Sequence, residues 1–157
     1  MNSIDLVRLF ERGAPAQKLW ALVLLLAIRD GATRVWFDPA QGDNRLGYEI
    51  GGVEKAMVPP PEFVRPSLLK VIGNLMRRRS AWGIIAWLFA GRAARSATVE
   101  DSFVAQIGEH GVTVTAVLDR ARSRVILRLS PETGAVAVAR AALESCLNSD
   151  KRKHLRG

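Results

Sequence analysis

The sequence predicts one α+β domain: a mainly antiparallel sheet of about five or six strands, with helices packed on one face and a helix at the C-terminal end. Three observations lead to this prediction. Within residues 34–50 and 103–129, several segments alternate between apolar side chains that would face a core and side chains that would face away from it. This is the period of a half-buried strand. Helix-forming stretches surround them. The chain has 157 residues, 48% of them apolar, which suits a single core.

Two helices are expected before the first strand. Ser3 can cap a short helix that ends at Gly13. Pro15 suits the first turn of a longer helix that ends at Gly31. This second helix is apolar almost all round, which is typical of a helix at the centre of a core. Its apolar stretch and residues 81–91 are each about half of the roughly 20 residues that a membrane-spanning helix needs, so neither is expected to cross a bilayer.

A β-hairpin and a third strand are expected next. Val35 and Phe37 share one face of the first strand. Polar turn residues follow, and Tyr48 and Ile50 share one face of the second strand. Two glycines then permit a tight reversal into a strand at residues 53–58. The sheet should therefore begin as an antiparallel meander.

The second half of the chain predicts further helices around a second group of strands. Three prolines form an extended connector, and a helix begins at Pro66 and ends in arginines at residues 77–79. Residues 81–95 have the length and composition of another helix, although two glycines disfavour it. The remaining elements are strands at residues 103–107, 112–118 and 124–129 and a final helix at residues 131–147.

One domain is expected over residues 1–148, followed by a frayed basic tail at residues 149–157. The helical and strand periods assign nine side chains to a single core. These are Leu22, Leu26, Phe37, Tyr48, Ile50, Leu69, Ile72, Val114 and Leu127.

The formal charge of +8 indicates an acidic partner, such as nucleic acid, an anionic membrane surface or a protein. The excess is local, however. Residues 61–96 carry seven basic side chains and one acidic one, whereas acidic and basic side chains nearly balance elsewhere. The distribution of charge therefore predicts one basic segment and not a protein surface that is basic throughout.

The single cysteine, Cys146, cannot form an internal disulfide, and the N-terminal stretch does not resemble a signal peptide. A reducing, cytoplasmic location is therefore expected. His110 and His154 have no second ligand at metal-binding spacing, so they are interpreted as surface histidines and no metal site is expected.

Enzymatic function has little support in the sequence. Asp38, Asp43, Glu49 and Glu54 cluster around the hairpin, where turn and exposed-strand positions explain them more simply than acid–base catalysis. The phosphate-binding pattern G-x-x-x-x-G-K-[ST] does not occur. We therefore expect no catalytic residues and no cofactor.

Three stretches together resemble a known family: "LLLAIRDGATRVWFDPAQGDNRLGYEIGGV", "PPPEFVRPSLLKVIGNLM" and "GVTVTAVLDRARSRVILRLS". They are similar to the small α/β domain that precedes the RecA-like motor in type II secretion and type IV pilus assembly ATPases. That domain has a helix leading into a hairpin, a Pro-containing connector with a helix, and a closing hairpin. The resemblance spans roughly residues 17–130 and implies a relative that lacks the motor.

The departures from this family lie on its charged face. Its members place arginines on the strand that here reads "RLGYEIGG", where they meet nucleotide phosphates or a neighbouring subunit. This chain keeps Arg45 but has Gly47 and Glu49 at the next outward positions, and Gly51 where the family has Asp. Arg128 matches an arginine of the closing strand. The resemblance therefore implies a retained core with an altered surface.

The residues from 77 to 92 are the expected partner-binding site, because they join the local charge excess to the richest aromatic and aliphatic run. A solvated helix end and a buried or lipid-facing helix are the alternative interpretations. The site consists of Arg77, Arg78, Arg79, Trp82, Trp87, Phe89 and Arg92.

Two classes of function remain. The first is a non-catalytic adaptor or regulatory module whose partner is a protein, either a secretion or pilus motor component or a second copy of the chain. The alternative is a basic surface that binds nucleic acid or anionic lipid. Salt separates the two, because phosphate binding weakens steeply with ionic strength and an apolar protein interface does not.

Overall fold

A seven-stranded sheet forms one layer of the protein and helices form the other. The computed structural model describes residues 2–38, 45–58, 60–76, 98–119 and 124–155. The elements in chain order are β1 (Asn2–Asp5), α1 (Leu6–Arg12), α2 (Pro15–Arg29), β2 (Arg34–Asp38), β3 (Arg45–Ile50), β4 (Val53–Ala56), a 3-10 turn (Glu62–Val64), α3 (Arg65–Met76), β5 (Thr98–Ile107), β6 (His110–Asp119), β7 (Arg124–Pro131) and α4 (Ala135–Leu155).

The strands lie side by side in the order β1-β5-β6-β7-β2-β3-β4. Every neighbouring pair is antiparallel except β1 and β5, which are parallel. The α+β class is therefore confirmed, with seven strands where five or six were expected. The three-stranded meander β2-β3-β4 and the hairpins β5-β6 and β6-β7 are also present.

The additional strand is β1, at residues where the sequence predicts a helix. Asn2–Asp5 pair with the second half of β5, about 100 residues further along the chain. Asp5, and not Ser3, caps the helix that follows, because its Oδ1 accepts a hydrogen bond from the backbone N–H of Arg8 at 3.0 Å. The expected first helix was therefore wrong at its start. A four-residue strand has no periodicity of its own, and only its distant partner makes it a strand.

All four described helices bury side chains in one cluster with one face of the sheet, which we call the inner face. Helix α2 occupies the centre of this core. Its Trp20 ring meets Phe37 of β2 edge-to-face, with centroids 6.2 Å apart, and its Nε1 donates to the carbonyl oxygen of Leu68 at 2.9 Å. One residue of α2 therefore joins the sheet to α3.

The predicted core residues lie in this cluster. Phe37, Tyr48, Ile72, Val114 and Leu127 are buried, and the remaining three whose burial the structure describes are half-buried against them. Those three are Leu22, Leu26 and Ile50. The side chain of Leu69 lies outside the described part of the structure. Every predicted core residue whose burial is described therefore packs in this core, although α2 buries Trp20, Leu24 and Ile28 more deeply than the predicted Leu22 and Leu26.

The last helix differs from its prediction at both ends. Pro131 ends β7 instead of starting the helix, and α4 runs from Ala135 to Leu155, about two turns past the expected end. Its buried residues stop at Cys146, and every side chain from 147 to 155 is exposed. The basic residues of the final turn suit the negative end of the helix dipole. The segment expected to fray therefore continues as a helix that extends beyond the core.

None of the helices in the described residues is both long enough and apolar enough to span a membrane. The most apolar of them, α2, contains 15 residues and is mostly buried against the sheet and the neighbouring helices. Its apolar surface is thus accounted for by the core.

Gly47 is a position where the fold has no room for a side chain. A Cβ placed there would lie 2.6 Å from the backbone oxygen of Lys55 and 2.7 Å from Cζ2 of Trp36. The indole of Trp36 therefore lies directly against the β3 backbone on the sheet face opposite the helices. The glycine at this position is explained by packing alone.

We expect Gly47→Ala to lower the free energy of unfolding by about 1–3 kcal/mol, because the backbone of β4 or the indole must move. Gly73→Ala is the matched control, since a Cβ at Gly73 meets no atom within 4 Å and α3 there is helical. That variant should be more stable by about 0.5–1 kcal/mol. Urea unfolding measures both, and equal effects of the two substitutions would contradict this account of Gly47.

Candidate functional site

The expected partner-binding residues lie outside the part of the chain that the structure describes. The described chain stops at Met76 and resumes at Thr98. The structure therefore does not place Arg77, Arg78, Arg79, Trp82, Trp87, Phe89 or Arg92, and they keep the status of sequence predictions. The candidate site in the described residues is a different one.

This site lies on the outer face of the sheet, the face opposite the helices. No described helix packs on it, because all of them contribute to the cluster on the inner face. Most of its side chains are half-buried or exposed, and Trp36 and Asp38 are the buried exceptions. Among the described residues, the outer face combines charged, hydroxyl and apolar side chains on one surface. These include Arg34, Glu49, Glu54, Val104, Thr113, Thr115, Ile126 and Arg128.

Arg34 occupies the middle of the outer face. It lies opposite Glu49 of β3 on one side and opposite Arg128 of β7 on the other. Its Nη2 donates to Oε2 of Glu49 at 2.7 Å and lies 3.8 Å from Oε1 of Glu54. Its Nε is buried and has no hydrogen-bond partner in the described residues. The two carboxylates therefore hold one end of the guanidinium and leave one donor without an acceptor.

Arg128 is the unpaired charge of this group. It is exposed, and it forms no ion pair with any residue that the structure describes. Two cations directly opposite each other on neighbouring strands repel, and only Arg34 has carboxylates beside it. We call Arg34, Glu49, Glu54 and Arg128 the arginine cluster. It presents a free guanidinium that an acidic group from outside could bind.

The sequence identified part of this cluster. Glu49 was singled out as an outward position, Arg128 as the match to an arginine of the resembling family's closing strand, and Glu54 as an exposed strand residue. Arg34 was not singled out. The missing signal was the strand order β7-β2-β3, which brings Arg128 and Glu49 to either side of Arg34.

The carboxylates around the hairpin do not form a common acid–base site in the described structure. Glu49 and Glu54 lie opposite each other and both approach Arg34. Asp38 is buried near the other end of β2, and Asp43 lies outside the described residues. Glu49 and Glu54 are thus arranged to hold a guanidinium.

A second group of charges lies at the inner base of the hairpin, where α2 meets β3 and β4. Arg29 Nε lies 2.8 Å from Oδ1 of Asp30, and Lys55 Nζ lies 3.7 Å from its Oδ2. The Tyr48 hydroxyl donates to the same carboxylate, and Lys55 also lies over the Tyr48 ring. This Asp30 network fastens the end of α2 to the hairpin.

The network shifts the protonation of its members. The hydrogen bond from Arg29 lowers the pKa of Asp30 to about 2, against the opposing effect of partial burial, and Tyr48 and Lys55 add to the lowering. Burial raises the pKa of Tyr48, and its hydrogen bond to Asp30 raises it further. Asp30 is therefore a fixed carboxylate and Tyr48 a fixed donor, which is a structural arrangement.

The histidines and the cysteine form no obvious reaction centre. Within the described ranges, no group of three or more His, Cys, Asp or Glu side chains is arranged to hold a metal ion. His110 begins β6 beside Gly134, and His154 is exposed in the last turn of α4. Burial raises the pKa of the Cys146 thiol, which disfavours the reactive thiolate.

No family model and no curated protein matches this chain. The function must therefore be inferred from the geometry of the arginine cluster and from the sequence patterns.

We expect Asp30→Asn to lower the free energy of unfolding at neutral pH by about 1–2 kcal/mol, because it removes a charged acceptor that takes hydrogen bonds from Arg29 and Tyr48 and pairs with Lys55. Because the pKa of Asp30 is depressed in the folded state, its contribution is fully present above 3.8, the ordinary pKa, and is lost as the pH falls to about 2.

Urea unfolding across that pH range measures the effect. The difference between the wild-type protein and Asp30→Asn should shrink as the pH falls. Asp150→Asn, at an exposed position of α4, is the control. If the difference in unfolding free energy between wild type and Asp30→Asn stays constant down to the lowest pH, ionisation of the Asp30 carboxylate is not its cause.

Proposed function

We propose that this protein is a non-catalytic interaction module, an adaptor or regulator, that binds another protein through the outer face of its sheet. The observation that carries the proposal is the arginine cluster on a face that no described helix covers. Arg128 has no ion pair in the described residues, and Arg34 keeps one buried donor without an acceptor. A carboxylate from a partner could pair with the exposed guanidinium of Arg128, whereas the Nε of Arg34 is buried out of its reach.

The family resemblance supports the same class of function. The hairpin β2-β3, the helix α3 after the proline connector and the closing hairpin β6-β7 occur in the order that the resemblance implies. The partner would then be a motor component of a secretion or pilus system, or a second copy of the chain, and the module would work in the cytoplasm. With Glu49 and Glu54 beside Arg34, the cluster offers a single unpaired guanidinium, which suits one partner carboxylate better than a chain of phosphates.

The segment from Arg77 to Arg92 is proposed as a further contact. Its sequence combines three consecutive arginines with Trp82, Trp87 and Phe89, the pattern of an apolar anchor within a basic rim. Such a segment would add apolar contact area to the orientation that the arginine cluster supplies.

A basic surface for nucleic acid or anionic lipid is the second candidate. It is favoured by the exposed end of α4, where Lys151, Arg152 and Lys153 follow one another beyond the core. A phosphate-binding role predicts binding that falls steeply as salt is added. A protein interface with an apolar anchor predicts a much weaker dependence on salt.

The test of the proposed function is cross-linking of the tagged protein in native lysate, followed by identification of the captured protein. Arg128→Glu should abolish capture, whereas Arg140→Glu, an exposed position on α4, should not. Trp87→Ala and the triple substitution of Arg77, Arg78 and Arg79 by Ser should each weaken it, with unchanged thermal melting. Equal capture by wild type and Arg128→Glu would refute a role for the outer face.

We also expect the purified protein neither to bind nor to hydrolyse ATP at micromolar concentrations. The phosphate-binding loop motif is missing from the sequence, and Gly47 and Glu49 stand where the resembling family has arginines. Isothermal titration calorimetry with ATP and magnesium should give only heats of dilution. A saturable binding curve would contradict the non-catalytic assignment.

A further inference from the structure

A groove of about 570 Å³ runs along the end of the sheet where β1 forms the last strand. Its walls come from β1, from α1, from the start of α2 and from Gln106 of β5. The lining includes Ser3, Ile4, Asp5, Arg8, Arg12 and Gln17. The groove lies at the opposite end of the sheet from β4 and does not include the arginine cluster.

Two guanidinium groups line this groove. Arg8 and Arg12 are four residues apart on α1, so their side chains leave the same face of the helix. Both are exposed, and neither forms an ion pair with a residue that the structure describes. The Asp5 carboxylate already accepts the backbone N–H of Arg8 as the helix cap. The groove therefore offers two cations for an acidic group.

The third donor is the side-chain amide of Gln17. Its Oε1 accepts the backbone N–H of Ala14 at 2.8 Å, which fixes the orientation of the amide. The amide nitrogen makes no hydrogen bond within the described ranges and remains available. The Gln17 amide thus gives the groove a donor of fixed position, beside the two longer arginine side chains.

The free edge of β1 adds main-chain groups to these donors. β1 pairs only with β5 in the described sheet, so its other edge has unpaired N–H and C=O groups. An extended peptide can pair with such an edge and lengthen the sheet by one strand. At the opposite end, β4 has Glu54 and Lys55 on its edge, the kind of charged side chains that discourage such pairing.

We propose that this groove binds an extended acidic segment of a partner protein, which pairs with β1 while its carboxylates contact Arg8 and Arg12. The inference rests on the proposed function as an interaction module and specifies the chemistry of one partner segment. Ile4 and Leu9, both half-buried, supply an apolar contact for the alternate side chains of such a strand.

The shape and charge of the groove favour a peptide over other ligands. Sites for small molecules are enclosed and mostly apolar, whereas this groove is open to solvent and lined by polar and apolar groups together. Proteins that hold a nucleic-acid backbone neutralise about 6–10 phosphates with basic side chains. Here Arg8 and Arg12 are the two cations, and Asp5 lies beside them. An acidic peptide, in contrast, can be bound by two ion pairs together with backbone pairing to the edge of β1.

The test uses fluorescence anisotropy with a labelled peptide that alternates glutamate and threonine, added to the full-length protein. A peptide that alternates lysine and threonine is the control probe. The acidic peptide should bind saturably and more weakly as salt is added, and the basic one should not bind. Failure of the acidic peptide to bind, or equal binding of the two peptides, overturns the proposal without any variant.

Variants then locate the site. Arg8→Glu combined with Arg12→Glu should weaken binding about tenfold, a change of roughly 1.4 kcal/mol, because two charge-assisted contacts become repulsive. Arg140→Glu combined with Lys70→Glu makes the same charge change at exposed positions of α4 and α3. Equal weakening by the two double variants, with both folded by circular dichroism, shows only a net-charge effect and overturns the proposal.

Backbone pairing is tested with two further peptides, N-methylated at alternate residues in the two possible phases. At least one should bind about tenfold more weakly, because methylation removes the donors that face β1. Unchanged binding of both overturns strand addition. A single-stranded oligonucleotide that binds through Arg8 and Arg12 in place of the peptide also overturns it. These titrations use purified components, so their outcome is separate from whether cross-linking finds a partner at the outer face.

Discussion

The structure depends on one packing constraint: α2 has apolar side chains around most of its circumference and must be enclosed. Eight of its side chains are buried, among them Trp20, Leu24 and Ile28. The sheet covers one side of α2, while α1, α3 and α4 cover the others. All described helices are therefore gathered on the inner face. The outer face therefore has no helical layer from the described chain, and this explains why many of its side chains are polar.

The sheet itself could be predicted from sequence wherever its pairing is local. The hairpins and the meander join neighbouring segments, and their alternation fixes which side chains reach α2. β1 could not be predicted, because its partner in β5 is distant in sequence. The length of α4 was underestimated for another reason: past Cys146 no buried face continues the pattern, and Asn148, Ser149 and Asp150 are weak helix formers that suggest an end, although the helix continues through them.

The same distinction applies to the candidate site. Gly47 and Glu49 were identified as outward positions of one strand, which is a local property, and Arg128 through its match to the resembling family's closing strand. Their relation to Arg34 depends on β2 lying between β7 and β3, which no local pattern contains. The structure also gives a physical reason for a glycine at position 47, because the absence of a side chain leaves room for Trp36 against the backbone of β3. One glycine thus fixes the position of an aromatic ring beside the charged residues of the outer face.

The parallel pair β1-β5 has a consequence for folding and solubility. β1 covers only four residues of a ten-residue strand, from Phe103 to Gln106, and does so through contacts that close a loop of about 100 residues. Its hydrogen bonds should therefore form late and open early, and amide exchange in this half of β5 should be faster than in β7. While β1 is detached, the edge of β5 is a template for intermolecular pairing. This four-residue strand thus covers part of the edge of β5 and replaces it with a shorter free edge of its own.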